Sequence, residues 1–234
     1  MSEHDKKPGV VPACIGIIMD GNRRWAKAKG LPTLQGHTAG YAKAKEVIRH
    51  AFNRGVGTVV IYAFSTENWN RTTEEVGYLM ELFARALVNE LDDVVEEGVH
   101  IRFLGDLARL PDNLRIAAQE LEKKSAAGGS GKTLGIALSY GGRAETVAAA
   151  NTLIREGKEV VSEQDMYGAL WSHDIPEMDV IVRTGGARRL SNFFPWQSAY
   201  SEIFFSDTFW PDFTTQEFDT ILAEFADRER RHGK

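Results

Sequence analysis

The sequence predicts one α/β domain, a mostly parallel six-stranded sheet with helices on both faces, and three observations carry that expectation. Short apolar, β-branched runs alternate with longer amphipathic segments, as in successive strand–helix units of a parallel sheet. The polar clusters follow those runs, as they do where ligands collect at the carboxyl ends of parallel strands. No internal repeat and no linker interrupts the 234 residues. Residues 13–234 are therefore expected to form a single domain behind a flexible arm, residues 1–12, whose end is marked by Pro8 and Pro12.

The elements follow in order. Residues 15–19 are apolar except for Gly16 and read as a buried strand; Asp20-Gly21-Asn22 supplies a tight turn, and residues 23–29 a helix. Gly36-His37-Thr38 leads into a helix over 38–53, with Gly55 suited to close it in a left-handed cap. Residues 58–64 (TVVIYAF) are β-branched and aromatic, which suits a central strand ending in the polar stretch 65–71. Thr72 and Glu75 spell a capping box that opens a long helix to Glu97, about 36 Å at 1.5 Å per residue, with a wide apolar face. A third strand over 100–104, a helix over 112–124 and a Gly/Ser loop over 125–132 come next. The fourth strand, 133–138, precedes helices over 144–155 and 163–171. Strands over 179–182 and 202–205 and a last helix over 215–230 complete the chain.

Bulk composition narrows the function classes. At 43% hydrophobic and 26% charged the chain has the makeup of a globular domain with a sizeable core. A net charge of −5 argues against bulk nucleic-acid binding, so any anion site must be a local cluster of cations. Cys14 is the only cysteine, which removes an intramolecular disulfide and any multi-cysteine metal site. The first residues carry charges but no apolar signal segment, and no apolar run approaches the roughly 20 residues that span a bilayer. The expectation is a cytoplasmic protein whose membrane contact, if any, is peripheral.

The chemistry collects at strand ends. Asp20, Asn22, Arg24 and His37 follow the first strand, Ser65, Asn68 and Arg71 the second, Arg183, Arg189 and Ser191 the fifth, and Glu202 opens the sixth. Guanidinium groups match phosphate oxygens bidentately, and hydrogen bonds to charged groups contribute about 1.5–3 kcal/mol each. The arginines exceed what one monophosphate needs and suit two diphosphates. A carboxylate such as Asp20 repels an anion unless a metal lies between them, so aspartate beside arginine suggests a phosphate ester held partly through Mg2+. Each residue also has a plainer reading: surface arginines as solvated charges, His37 as structural, and Trp69, Trp196 and Trp210 as packing residues. The sequence has neither GxxxxGK[ST] nor a GxGxxG after a strand, which weakens nucleotide-binding readings.

In chain order the segments IMDGNRRWA, Gly36-His37, YAFSTENWNR, LGD, SYGGR, RTGG, RLSNF, WQSAYSE and WPDF resemble the cis-prenyltransferases, most closely those of undecaprenyl diphosphate synthase type, from Pro12 to Phe213. The resemblance implies a catalytic domain of that family's α/β fold, distinct from the all-α trans-prenyl synthases, and the chain lacks their DDxxD pair. It implies that Asp20, Asn68, Ser65 and His37 are catalytic and that Gly21, Asn22, Arg23, Arg24 and His37 hold an allylic diphosphate. Arg71, Arg183, Arg189 and Ser191 would bind isopentenyl diphosphate, with Asp20 and Glu202 holding Mg2+. Trp69 and Glu75 would belong to a segment that closes over the substrates. The implied reaction joins isopentenyl diphosphate to farnesyl diphosphate repeatedly, giving a cis-polyprenyl lipid carrier such as undecaprenyl diphosphate, in a homodimer built around the C-terminal region. The apolar face of residues 76–95 would line the product tunnel, and the small Ala63 leaves room for a medium-length chain.

Three positions depart from the family pattern: Cys14 stands where a histidine precedes the first strand, Thr33 where an arginine contacts diphosphate, and Ala187 where a glutamate follows RTGG. Arg23 is an added cation in a turn often filled by glycine. Two rival readings share the fold. A short-chain or branched-product synthase would couple two allylic diphosphates. A non-catalytic subunit of a hetero-oligomeric prenyltransferase would be expected to lose the first anion site, which is intact here.

Overall fold

The computed structural model of the chain describes residues 10–89 and 91–228. The strands are β1 (Cys14–Ile18), β2 (Thr58–Ser65), β3 (His100–Leu104), β4 (Thr133–Tyr140), β5 (Val180–Arg183) and β6 (Glu202–Phe205). They form one sheet in the order β3-β4-β2-β1-β5-β6. Every pairing is parallel, which resolves the expectation of a mostly parallel sheet into a wholly parallel one. The helices are α1 (Asn22–Ala28), α2 (Thr33–Asn53), α3 (Thr73–Asn89), α4 (Asp92–Glu96), α5 (Asp112–Ser125), α6 (Gly142–Arg155), α7 (Glu163–Ala169) and α8 (Thr215–Asp227). Residues 1–9 of the expected arm and the last residues of the expected final helix lie outside the described residues.

Strand alternation sorts the core into two layers. Ile15 and Ile17 of β1, Val59 and Ile61 of β2 and Val180 and Val182 of β5 join side chains of α2, α3, α5 and α8 in the larger layer. Cys14, Ile18, Val60 and Ile181 face the other side, where Ile175, Met178, Phe193 and Phe194 cover the sheet. Gly16 has no side chain because Met178 and Phe193 already fill that place: a Cβ there would sit 2.6 Å from the Met178 sulfur.

Several boundaries differ from the sequence expectation by a residue or more. The second helix starts at Thr33, not Thr38, because Pro32 precedes the first turn with φ −53° and glycine at 36 does not interrupt it. The long helix ends at Asn89, and after Leu91 a separate short turn of helix, α4, resumes. Asn89, Asp92 and Asp93 are residue types of low helix propensity, which the wide apolar pattern concealed. The fourth strand runs two residues further, through Ser139, whose φ is +52°, to Tyr140.

Sheet order positions the site. β1 lies in the middle, with β2 on one side and β5 on the other, so the chain's connections diverge at its carboxyl end. That divergence is where a crevice forms in an open parallel sheet. α1 and α2 close one wall of it, and they approach closely because Gly36 and Gly40 face Asn22: a Cβ at Gly36 would lie 2.1 Å from the Asn22 carbonyl oxygen. Gly36→Ala is expected to lower the unfolding free energy by about 1–3 kcal/mol through overpacking. Urea denaturation checks this, and a wild-type midpoint would show that α1 and α2 part without cost.

Candidate functional site

Asp20 follows β1 directly, and its backbone is clamped before its side chain does anything. Its carbonyl accepts from Thr184 Oγ1 at 2.8 Å and from the Trp210 N–H at 3.1 Å. Gly21 then takes φ +112° beneath Phe209, a conformation and a contact distance that exclude a side chain. The Asp20 carboxylate is partly exposed and lies between two guanidinium groups: Arg24 Nη2 is 3.0 Å from Oδ1, and Arg183 Nη2 is 3.0 Å from Oδ2. Arg24 also donates from Nη1 to the Gly185 carbonyl at 2.7 Å. Arg183, 4% exposed, donates from Nη1 to Ser191 Oγ at 2.7 Å and to the Arg189 carbonyl. Arg189 donates from Nε to the same Ser191 oxygen at 3.2 Å.

A second carboxylate organises the opposite wall. Glu75, in the first turn of α3, is 7% exposed and meets three partners from different elements. Arg71 Nη1 donates to Oε1 at 3.0 Å, His37 Nε2 is 3.0 Å from the same oxygen, and Arg23 Nη1 is 3.7 Å from Oε2. Burial lowers the pKa of His37; Arg71 and Arg23 push the same way, and the Glu75 contact opposes them without prevailing. A neutral imidazole with Nε2–H pointing at Glu75 satisfies both groups.

The crevice falls into two basins. The first is lined by Asn22, Arg23, Arg24, Lys27, Thr33 and His37. The second is lined by Tyr62, Ser65, Asn68, Arg183, Arg189 and Ser191, with Glu67 and Asn192 at its margin. Asp20 and Arg71 line both, so they stand on the divide. Thr33 opens on the same basin as Arg23 and Lys27, so that basin keeps two exposed cations beside the threonine.

An apolar cavity adjoins the first basin through Met19, Asn22 and His37, which line both. The cavity, of about 110 Å³, lies between walls formed by Ala63 and Ile61 of β2, Leu79, Phe83 and Ala86 of α3 and residues of α2 and β4. Its apolar lining has the character of a site for an extended apolar group. The expected apolar face of the third helix therefore does both jobs, since Leu79 and Leu87 also belong to the core.

Other expected site residues fall into place unevenly. Ser65 and Asn68 form a reciprocal cap on the short 3-10 turn Thr66–Asn70, with the Ser65 N–H donating to Asn68 Oδ1 at 3.1 Å. Trp69 lines neither basin: its indole N–H donates to Ser139 Oγ at 3.0 Å and its ring meets Phe64 edge-on. Glu202 is not brought to Asp20. In the parallel register it pairs with Val180 at the entry end of β5, whereas Arg183, next to Asp20, is at the exit end. Its carboxylate is bound instead to Arg228. The separation of about 3.3 Å per residue along a strand keeps the two acids apart within one chain. Sequence reasoning passed over Tyr62, Glu67, Lys27 and Asn192. The signals were a carboxylate between Ser65 and Asn68 and an asparagine directly after Ser191.

For Mg2+ the donor set is a single carboxylate. Among the described residues no group of three or more His, Cys, Asp or Glu converges. That excludes an all-protein cage and suits an ion that takes one carboxylate together with phosphate oxygens and water. Asp20 fits that role, since it faces both basins at once.

A family profile described as "Putative undecaprenyl diphosphate synthase" matches residues 18–233. An isoprenyl transferase of Chromobacterium violaceum is 42% identical over 95% of this chain and 88% of its own. A ditrans,polycis-undecaprenyl-diphosphate synthase, (2E,6E)-farnesyl-diphosphate specific, of Pseudomonas aeruginosa is 42% identical over 99% and 94%. The crystal structure of lavandulyl diphosphate synthase from Lavandula x intermedia, in complex with dimethylallyl diphosphate, superposes with a TM-score of 0.91 at 31% identity, covering 96% of this chain and 99% of that one. The chain belongs to the undecaprenyl diphosphate synthase family of prenyltransferases.

Proposed function

We propose that this enzyme condenses isopentenyl diphosphate repeatedly onto farnesyl diphosphate, with cis geometry, to make undecaprenyl diphosphate. The observation that carries the reading is the carboxylate of Asp20 on the divide between two cation-lined basins, one of them opening into an apolar cavity.

The allylic diphosphate occupies the first basin, against the backbone of Gly21 to Arg24 and the side chains of Asn22, Arg23, Arg24 and His37. Its hydrocarbon tail passes Met19 into the apolar cavity. Isopentenyl diphosphate occupies the second basin, with its phosphates on Arg71, Arg183, Arg189 and Ser191. Asp20 would hold Mg2+ together with the substrate, and the ion would supply positive charge to the departing diphosphate. Arg24 turns from Asp20 towards the phosphate oxygens, so its charge is spent on the group where negative charge grows as the allylic C–O bond lengthens. The isopentenyl double bond then attacks the allylic C1, and loss of a proton from the isopentenyl C2 restores a double bond. Asn68 and Ser65 lie beside that carbon and orient it. An amide is no base, so a diphosphate oxygen accepts the proton. Each added five-carbon unit gains up to roughly 4 kcal/mol on burial in the cavity, at about 0.8 kcal/mol per carbon, which drives the growing chain inward.

Glu75 and Trp69 belong to the segment that closes over the substrates in this reading, with Glu75 tying it to α1 and α2. A homodimer through the C-terminal region is part of the proposal, supported by β6 as an edge strand with Phe205 exposed. Cytoplasmic location with peripheral membrane contact is supported by the lack, among the described residues, of any helix long and apolar enough to cross a membrane. The similarity to lavandulyl diphosphate synthase favours, as a second reading, a short-chain or branched-product synthase.

Incubation with labelled isopentenyl diphosphate, farnesyl diphosphate and Mg2+, followed by chain-length analysis, separates the two readings. Asp20→Ala is expected to reduce turnover by about 10²–10³-fold in a protein that still folds, with a lowered melting temperature because Arg183 loses its counter-charge; an unfolded variant would make Asp20 structural instead. Ala63→Leu narrows the cavity and is expected to shorten the product, whereas an unchanged product distribution would remove Ala63 from the tunnel. His37 gives a pH signature. The fold lowers its pKa from 6.5, so the unfolded chain binds the additional proton first as pH falls. Its contribution to stability is full above that value and is lost below it. Urea midpoints measured from about pH 8 to about pH 5 should therefore fall more steeply for the wild type than for His37→Gln; a shallower fall would mean a charged imidazole in the fold.

A further inference from the structure

Asn192 has no part in the reaction as derived above, yet it is the point at which three chain segments meet. Its side-chain Nδ2 donates to Glu67 Oε1 at 3.1 Å, and its Oδ1 accepts from the Arg143 N–H at 2.8 Å. Its own carbonyl accepts from the Gly142 N–H at 2.8 Å. The junction is tight: a Cβ at Gly141 would lie 2.5 Å from Thr66 Oγ1 and 2.9 Å from Asn192 Nδ2, and one at Gly142 would lie 2.0 Å from Pro195 Cδ. Ser191 and Asn192 are consecutive left-handed residues, φ +50° and +67°. Such a conformation persists in non-glycine residues only where the surroundings hold it, and asparagine tolerates it best.

The chemistry of the partners dictates the residue. A carboxylate on one side requires a donor, and a backbone N–H on the other requires an acceptor, which fixes the orientation of the amide. Aspartate lacks the donor and glycine lacks both groups. Glu67 is in turn bound to the segment that carries Ser65 and Asn68. Burial pushes its carboxyl up, but hydrogen bonds from its own backbone N–H, Ser65, Asn192 and Thr66 outweigh this and hold it below the usual carboxylate range. On the other side, Ser191 immediately precedes Asn192 and receives both Arg183 and Arg189.

We infer that Asn192 and Glu67 are positioning residues: their hydrogen bond sets the loop that holds the isopentenyl diphosphate phosphates at a fixed distance from Ser65 and Asn68. The inference rests on the two-basin reading above. Neither residue needs to touch the reacting carbons. A loop free to shift by about 1 Å would misplace the isopentenyl double bond against the allylic C1, a displacement that can cost about 10²-fold in rate.

The test exchanges donor and acceptor. In N192D two carboxylates face each other. Turnover with isopentenyl diphosphate should then fall by about 10²-fold in kcat/KM, with the KM for farnesyl diphosphate and the melting temperature unchanged. E67Q keeps an acceptor for Asn192 and should retain most activity. In the double variant N192D/E67Q the amide introduced at position 67 donates to the carboxylate introduced at position 192, and activity should return to within about tenfold of wild type. A double variant no better than N192D overturns the inference, as does an equal loss for both substrates or a wild-type N192D. If N192D does not fold, E67A decides: a loss confined to isopentenyl diphosphate supports the clasp, and unchanged kinetics overturns it. Calorimetric titration of isopentenyl diphosphate without primer gives a readout apart from turnover. Wild-type protein that binds it but makes no product refutes the proposed reaction, and weaker binding by N192D with rescue in the double variant still upholds the clasp. Wild-type protein that does not bind it refutes both.

Discussion

The site depends on one carboxylate shared by two arginines that the chain brings together from far apart. Asp20 lies at the end of β1, Arg24 on the first turn of the following helix, and Arg183 at the end of β5. Without an anion between them, two guanidinium groups this close would repel, and Arg183 is almost wholly buried. Asp20 balances that charge, and in the proposed reaction it gives the arginines up to phosphate. Its backbone carbonyl, gripped by Thr184 and Trp210, keeps the side chain on the divide between the basins. The same residue therefore holds the two arginines together and, in the proposed reaction, sets the place where two diphosphates approach each other.

Glu75 does for the opposite wall what Asp20 does for the centre. It joins α1, α2 and the start of α3 through Arg23, His37 and Arg71, and its burial makes each contact costly to break. The wall it organises is also the lip of the apolar cavity, because His37 lines both. In the proposed reaction the grip on the diphosphate and the room for its tail thus meet at His37. Arg23, which departs from the usual turn residue, is part of that link and shares its basin with Thr33. Lys27 lines the same basin.

A parallel sheet explains why the functional residues cluster as they do. Strands that all run the same way deliver Asp20, Ser65 and Arg183 to one edge, and short turns after each strand carry the rest. It also explains why Glu202, which begins its strand rather than ending it, lies away from Asp20 within one chain. A residue's membership of a family-like segment says nothing about which end of the sheet it occupies. Trp69 teaches a related point, since its indole is committed to Ser139 and the core below rather than to a basin.

Local chemistry was legible in the sequence. The strand runs, the turn at Asp20-Gly21-Asn22, the surplus of arginine at strand ends and half of the capping box, the Glu75 N–H donating to Thr72 Oγ1, all follow from residue type and short-range spacing. The other half is absent, because the Glu75 carboxylate is taken by Arg71, His37 and Arg23. Family membership rested on the same kind of information, short segments in a fixed order. What required the tertiary structure was every relation between segments distant in the chain. That Asp20 sits between Arg24 and Arg183, that Glu75 gathers three partners, that the long apolar face breaks after Asn89 and walls a cavity, and that Asn192 reaches Glu67 are consequences of sheet order and register. Those depend on the summed packing of the whole chain, so no single stretch encodes them.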